Sequence, residues 1–293
     1  MRLGEPTRGL KNTDLEKVQL RGDRLQDYVD FWERSAHTDA VKAIADATDR
    51  ESFERSGTVD AEALLALAPA DPVVLEIGCG IGRVLQHLAG ACREVHGVDI
   101  SREMVDQGAR RLSHLPNVRF HHGNGYDLGM FEDATFDLCF SAFVFQHMPK
   151  TIAFNYMTEA ARVLKRGAVF RLQVPNLLRD EHFRSFRHFT QPYFVENPYP
   201  MNFYTAPEVV RMLEAAGFGV EALDDYLVVV ARKGAQTSPA AVRSSLDDQE
   251  RASYRARIAA LESEVARMRR VYEQPVVQAA LKARRRLLRR SEP

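Results

Sequence analysis

At positions 73–83 the chain reads VVLEIGCGIGR: five strand-forming residues run straight into glycines at 78, 80 and 82. An apolar run this short, entered from a proline and left through glycine, predicts a buried strand that ends in a tight turn. The rhythm then repeats. EVHGVD (94–99), VRFHHG (118–123), FDLCFSAFV (136–144) and AVFRLQVP (168–175) have strand composition, with helical segments at 82–89, 102–112 and 151–164 between them. Strands alternating with helices specify an α/β fold, a mainly parallel sheet covered on both faces. GVEALDD and YLVVVARK (219–233) read as a terminal antiparallel hairpin.

In an open parallel sheet, ligands sit beyond the carboxyl ends of the strands, and the first strand-to-helix turn is the usual cradle. Glycine belongs where the backbone takes positive φ or touches a ligand. A dinucleotide fingerprint would put another glycine at 83, and this chain has Arg83. Glu76, two residues before the first glycine, is expected to aim a carboxylate at the turn; it would repel a pyrophosphate and attract an ammonium or sulfonium. Asp99 closes the second strand, placed to accept from two ribose hydroxyls.

VLEIGCGIGR, then VHGVDIS, NVRFHHGNG, FDLCFSAFVFQHM, RVLKRGAVFRL and NFYTAPEVVRMLEAAGF, in this order, resemble a class I S-adenosylmethionine-dependent methyltransferase over residues 57–233. The resemblance implies a Rossmann-like sheet with an antiparallel last strand, and S-adenosyl-L-methionine as cofactor. It implies that Glu76 and the loop of Gly78, Cys79, Gly80 and Gly82 hold the methionine part, and Asp99, beside Ile100, the ribose. Asn124, followed by Gly125, would lie near the adenine, although many family members have aspartate there. Ser141, at the end of the fourth strand, completes the expected cofactor-binding set.

A hydroxyl acceptor loses its proton as it attacks, so a general base is expected. His147, just after the fourth strand, is the first candidate, with His182 and His188 behind it. The NPPY-type signature of enzymes that methylate DNA bases or glutamine amides is absent, and no metal site is assigned. Residues 176–204 break the alternation with aromatics and arginines, among them Phe183, Phe186, Phe189, Tyr193 and Arg184, and read as an insertion forming the acceptor-side wall.

The rest of the chain frames this domain. Residues 1–56 read as a helical cap with Tyr28, Phe31 and Trp32 as anchors of an apolar stripe, 57–235 as the methyltransferase domain, and 236–249 as a linker. In 250–293, Tyr254, Ile258, Leu261, Val265, Met268 and Tyr272 follow a heptad seam, and Lys282 to Arg290 form a basic amphipathic end. That end is similar to tails of bacterial enzymes that build or modify surface polysaccharides. It suggests an anionic membrane surface, a homodimer through the helix, and a glycan or glycolipid sugar hydroxyl as acceptor; nucleic acid is set aside as partner. The alternatives are a small-molecule methyltransferase acting on a phenol, quinone or secondary metabolite, and a tethering protein with a vestigial fold. Forty basic and forty acidic residues cancel, and three cysteines without ligand spacing give no disulfide framework. Without an apolar run of about 18 residues, the chain is expected in the cytoplasm, peripheral at the inner membrane face at most.

Overall fold

The computed structural model describes residues 22–45, 49–189 and 201–237. The start of the cap, residues 190–200 of the insertion, most of the linker, the heptad seam and the basic end lie outside the described residues. The chain divides into one unit ending at Leu246 and a second, Asp247–Pro293; the sheet and all the described helices belong to the first.

Two helices, α1 (Gly22–Ala45) and α2 (Arg50–Leu65), precede the sheet. Asp49 starts α2 by accepting the Ser52 N–H at 2.7 Å, which satisfies one of the helix's unpaired donors. This helix runs unbroken across residues 56 and 57, where cap and domain were expected to part. Then follow β1 (Val73–Ile77), the short α3 (Leu85–Leu88), β2 (Glu94–Asp99), α4 (Arg102–Arg111), β3 (Val118–His122), β4 (Phe136–Ser141), α5 (Lys150–Val163) and β5 (Leu164–Gln173). α6 (Asp180–His188) lies in the insertion, and α7 (Ala206–Ala215) leads to the hairpin β6 (Phe218–Leu223) and β7 (Val228–Lys233).

The seven strands are ordered β3-β2-β1-β4-β5-β7-β6, with β7 antiparallel to both neighbours and the pairs among β1 to β5 parallel. Central β1 is buried at all five positions, which is why four of its five residues are apolar and do not alternate with polar ones. Its odd residues Val73, Leu75 and Ile77 face the core under α5 and α7; Val74 faces the core under α2 and α3. Glu76, two residues past Val74, is therefore on the α2 side. β4 stops at Ser141, short of the expected 144, because Phe143 has φ 61, a left-handed backbone that a strand cannot contain.

Candidate active site

The chain steps from β1 outward through β2 to β3, then returns to lay β4 on the other side of β1. That reversal leaves a crevice at the carboxyl ends of β1 and β4. The glycine turn closes its floor. Gly78, Gly80 and Gly82 have φ of 76, 51 and 80, so all three use the conformation for which glycine is suited.

Two arginines fix the turn from outside. Arg83 turns away from the cavity into α2, donating to Ser56 Oγ at 3.1 Å and to Asp60 at 2.7 Å, with both its own and the Asp60 side chain largely buried. Arg111, from the end of α4, donates to the carbonyls of Ile81 and Gly82 at 3.2 Å each, and to Glu54 at 2.8 Å. α2 comes this near because of Gly57: a β-carbon there would sit 2.5 Å from the Arg83 carbonyl oxygen. The close packing point that a dinucleotide site places within its turn is supplied here by the neighbouring helix.

Four backbone donors of the turn are already committed. The N–H groups of Gly78 and Cys79 go to the Val98 carbonyl at 2.7 and 3.1 Å, that of Gly82 to Cys79, and that of Gly80 to Asp99 Oδ2 at 2.8 Å. A turn offering a carboxylate in place of free N–H groups is unsuited to a phosphate and suited to a polyol or a cation. Asp99 Oδ1 accepts the Ser101 N–H at 2.9 Å, so each oxygen keeps a lone pair for a ligand donor. Burial pushes this carboxyl above its ordinary range, and the two N–H groups oppose the shift.

The cavity is open at its mouth, and about 900 Å³ of space, solvent at the opening included, lies between its walls. Gly78, Gly80, Asp99, Ile100, Gly125 and His147 line it together, all from the expected set. The remaining lining is apolar or aromatic and includes Tyr28 and Trp32 from α1, Phe143, Val144 and Met148 after β4, and Tyr156 from α5.

His147 sits in a 3-10 turn, Phe145–His147, with the Trp32 ring edge-on at 4.9 Å. The insertion's last residues brace this turn. Asn202 donates to the carbonyls of Gln146 and Met148, on either side of the histidine, and the Tyr204 hydroxyl donates to the Phe145 carbonyl at 3.1 Å. None of the described residues of 176–204 is in the cavity lining.

Residues 74–167 match the family model described as a methyltransferase domain. Residues 74–167 are thus a methyltransferase domain, and the relatives it matches include an S-adenosylmethionine-dependent methyltransferase. The chain is 32% identical over 148 residues to a Mycolicibacterium smegmatis protein described as a probable S-adenosylmethionine-dependent methyltransferase, matching 50% of this chain and 52% of that one. It thus spans about half the length of that relative. A demethylmenaquinone methyltransferase of Staphylococcus aureus is 28% identical over 163 residues, covering 49% of this chain and 66% of its own. Among solved structures, a chain from the complex containing the Haloferax volcanii Trm112 methyltransferase activator superposes with a TM-score of 0.51 at 22% identity, covering 66% of this chain and 79% of that one; this likeness concerns the fold.

Five expected cofactor residues of the methyltransferase are not in the lining, each for a local reason. Glu76 is buried on the α2 face with Oε2 lacking a hydrogen-bond partner, and burial, opposed by nearby Arg83, pushes its carboxyl well above the ordinary range. The Cys79 thiol packs where a β-carbon of Gly97 would be. Gly82 leaves room for Phe120 and Leu112, which would lie 2.8 and 2.9 Å from an added β-carbon. Asn124 closes its own turn, its Oδ1 accepting the N–H groups of Tyr126 and Asp127 and its Nδ2 donating to Asp127. The Ser141 hydroxyl donates to the Ile77 carbonyl at 2.8 Å, tying β4 to β1.

Sequence reasoning missed the α1 contribution. The only signal for it, Tyr28 and Trp32 four residues apart, is that of any amphipathic helix. The cysteines are free, buried and held protonated, with the Cys92 thiol pushed up to about 11. Among the described residues no cluster of three metal-ligating side chains occurs, and no helix is long and apolar enough to cross a membrane.

Proposed function

We propose that this protein methylates a hydroxyl of a flat, largely apolar small molecule, a phenol or quinol, using S-adenosylmethionine. The observation that carries the reading is a single cavity with Asp99 on one side, His147 on another, and apolar or aromatic residues over most of the rest. A sugar hydroxyl of a glycan or glycolipid, and attachment to an anionic membrane, rest on the basic end of the chain, which is outside the described residues. The relative named for a demethylmenaquinone acceptor is in keeping with a ring acceptor.

The residues present fit the cofactor. Asp99 keeps acceptor capacity for ribose hydroxyls, and Val98, Ile100 and Met104 offer apolar surface beside it for a flat base. The Asp99 carboxylate favours a cationic group over a phosphate. S-adenosylmethionine, when bound, supplies a methyl group activated by a sulfonium for in-line displacement. His147 accepts the proton of the attacking hydroxyl, a role worth about 10² to 10⁴ in rate. Trp32 and the bonds from Asn202 and Tyr204 limit how far that imidazole can turn, and the apolar walls exclude water from the reacting atoms.

Calorimetry with S-adenosylmethionine and transfer of labelled methyl to a panel of phenols test the proposal. One equivalent binds, and His147→Ala lowers turnover about 10²-fold or more with cofactor affinity unchanged. Folded protein giving no heat at near-millimolar cofactor would instead support a tethering protein with a vestigial fold.

A further inference from the structure

Two aromatic residues of the cavity have features that the fold itself leaves unexplained. Phe143 combines a left-handed backbone, φ 61, with a side chain 43% exposed, at the cavity. A bulky residue in that conformation costs about 1–3 kcal/mol and persists where the surroundings or a ligand require it. Its ring also forgoes much of the burial that would reward an aromatic side chain. Trp32 is the chain's one tryptophan, and α1 carries it into the same cavity with its ring against His147.

The hold on α1 is polar and specific. Glu33, the next residue, accepts from the Ser101 hydroxyl at 2.6 Å and from the Glu103 N–H, in the first turn of α4. α4 begins directly after Asp99, so the Asp99 loop and the α1 wall share one anchor. Gln107 adds a bond to the Ala36 carbonyl at 3.1 Å. The indole is thereby kept in register with the catalytic histidine by residues that do not themselves line the cavity.

We infer that Trp32 is the specificity-determining residue for the acceptor, its indole and the Phe143 ring together selecting a flat aromatic ring whose hydroxyl is presented to His147. This deepens the methyltransferase reading and rests on it. Stacking on two rings favours a planar π-system over a puckered sugar. Among the described residues the lining has no lysine or arginine to hold a phosphate or carboxylate on the acceptor.

The test measures binding of 2-naphthol and of methyl α-D-glucopyranoside by calorimetry to full-length protein already saturated with S-adenosylhomocysteine. The wild type takes 2-naphthol at least tenfold more tightly than the glucoside. Trp32→Ala and Trp32→Leu each weaken 2-naphthol at least tenfold, the leucine keeping apolar bulk without a ring. Trp32→Phe restores most of the affinity, and S-adenosylhomocysteine binds all variants within about threefold of the wild type. Protein that binds S-adenosylhomocysteine but prefers the glucoside, or holds 2-naphthol equally well with leucine at 32, overturns the inference and leaves the methyltransferase reading standing. Failure of S-adenosylhomocysteine to bind folded wild type overturns both.

Discussion

The two walls of the cavity are built on different principles. The glycine-turn wall is held by buried charge: Arg83 on Ser56 and Asp60, Arg111 on two turn carbonyls and Glu54, and a helix brought close by Gly57. The α1 wall is held by Glu33 on the start of α4, one bond from Gln107, and the small buried side chains Ala36 and Ala40. Removing one partner of a buried ion pair strands the other, whereas removing a partly exposed carboxylate strands little. The glycine-turn side is therefore part of the core, and the α1 side is an attachment to it. A fixed cradle beside a separable wall lets one chemistry be kept while its acceptor changes.

Arg83→Met is the harshest way to break this contrast. It leaves the largely buried Asp60 with only the more distant Arg171, at 4.0 Å, as a cation, and should cost about 3–5 kcal/mol in urea unfolding. A loss below about 1 kcal/mol would mean that the turn is not anchored through α2.

Glu76→Gln sharpens the same point through pH. The native carboxyl has its pKa raised by burial, so the folded state keeps a proton that the unfolded chain releases in the ordinary carboxylate range. Its contribution is complete below that range and is lost as pH rises toward the folded value. The variant should gain melting temperature relative to the wild type as pH climbs from 4 to 8, with Arg83, Asp60 and Asp99 as the charges that modulate the gain. A difference between the two proteins that is flat or shrinking over that interval counts against a buried, unpaired Glu76.

Glu33→Ala should have the smallest effect on stability, about 1 kcal/mol or less, because it removes one carboxylate from the start of a helix. Its functional effect should be larger than its thermodynamic one, with several-fold faster release of S-adenosylhomocysteine in stopped-flow measurements. Unchanged release would make α1 a passive covering.

The parts of the molecule that were legible in the sequence are those where backbone demands are local. β1 and β2 match their expected bounds, residue for residue: the first is entered from proline and ended by glycine, and the second has a buried centre between the acids Glu94 and Asp99 at its ends. That Gly78, Gly80 and Asp99 line one cavity could be anticipated, since a turn needing positive φ and an acid at a strand's end are both written in adjacent residues. The Asn124 amide is engaged within its own turn, and those partners, the N–H groups two and three residues on, are invisible without the turn's geometry. Trp32 was out of reach for a different reason. Amphipathic spacing says that a helix face is covered, and nothing in it names the surface that covers it. The insertion presents the reverse case, since its composition suggested a wall while its described end, Asn202 and Tyr204, acts as a brace behind His147.

One practical property comes from the lone indole at position 32. Excited selectively, it emits from the acceptor wall and nowhere else in the chain, so the intensity and colour of that light report on the wall's surroundings without any label. Opening, closing and occupancy of this cavity are in that sense already optically encoded.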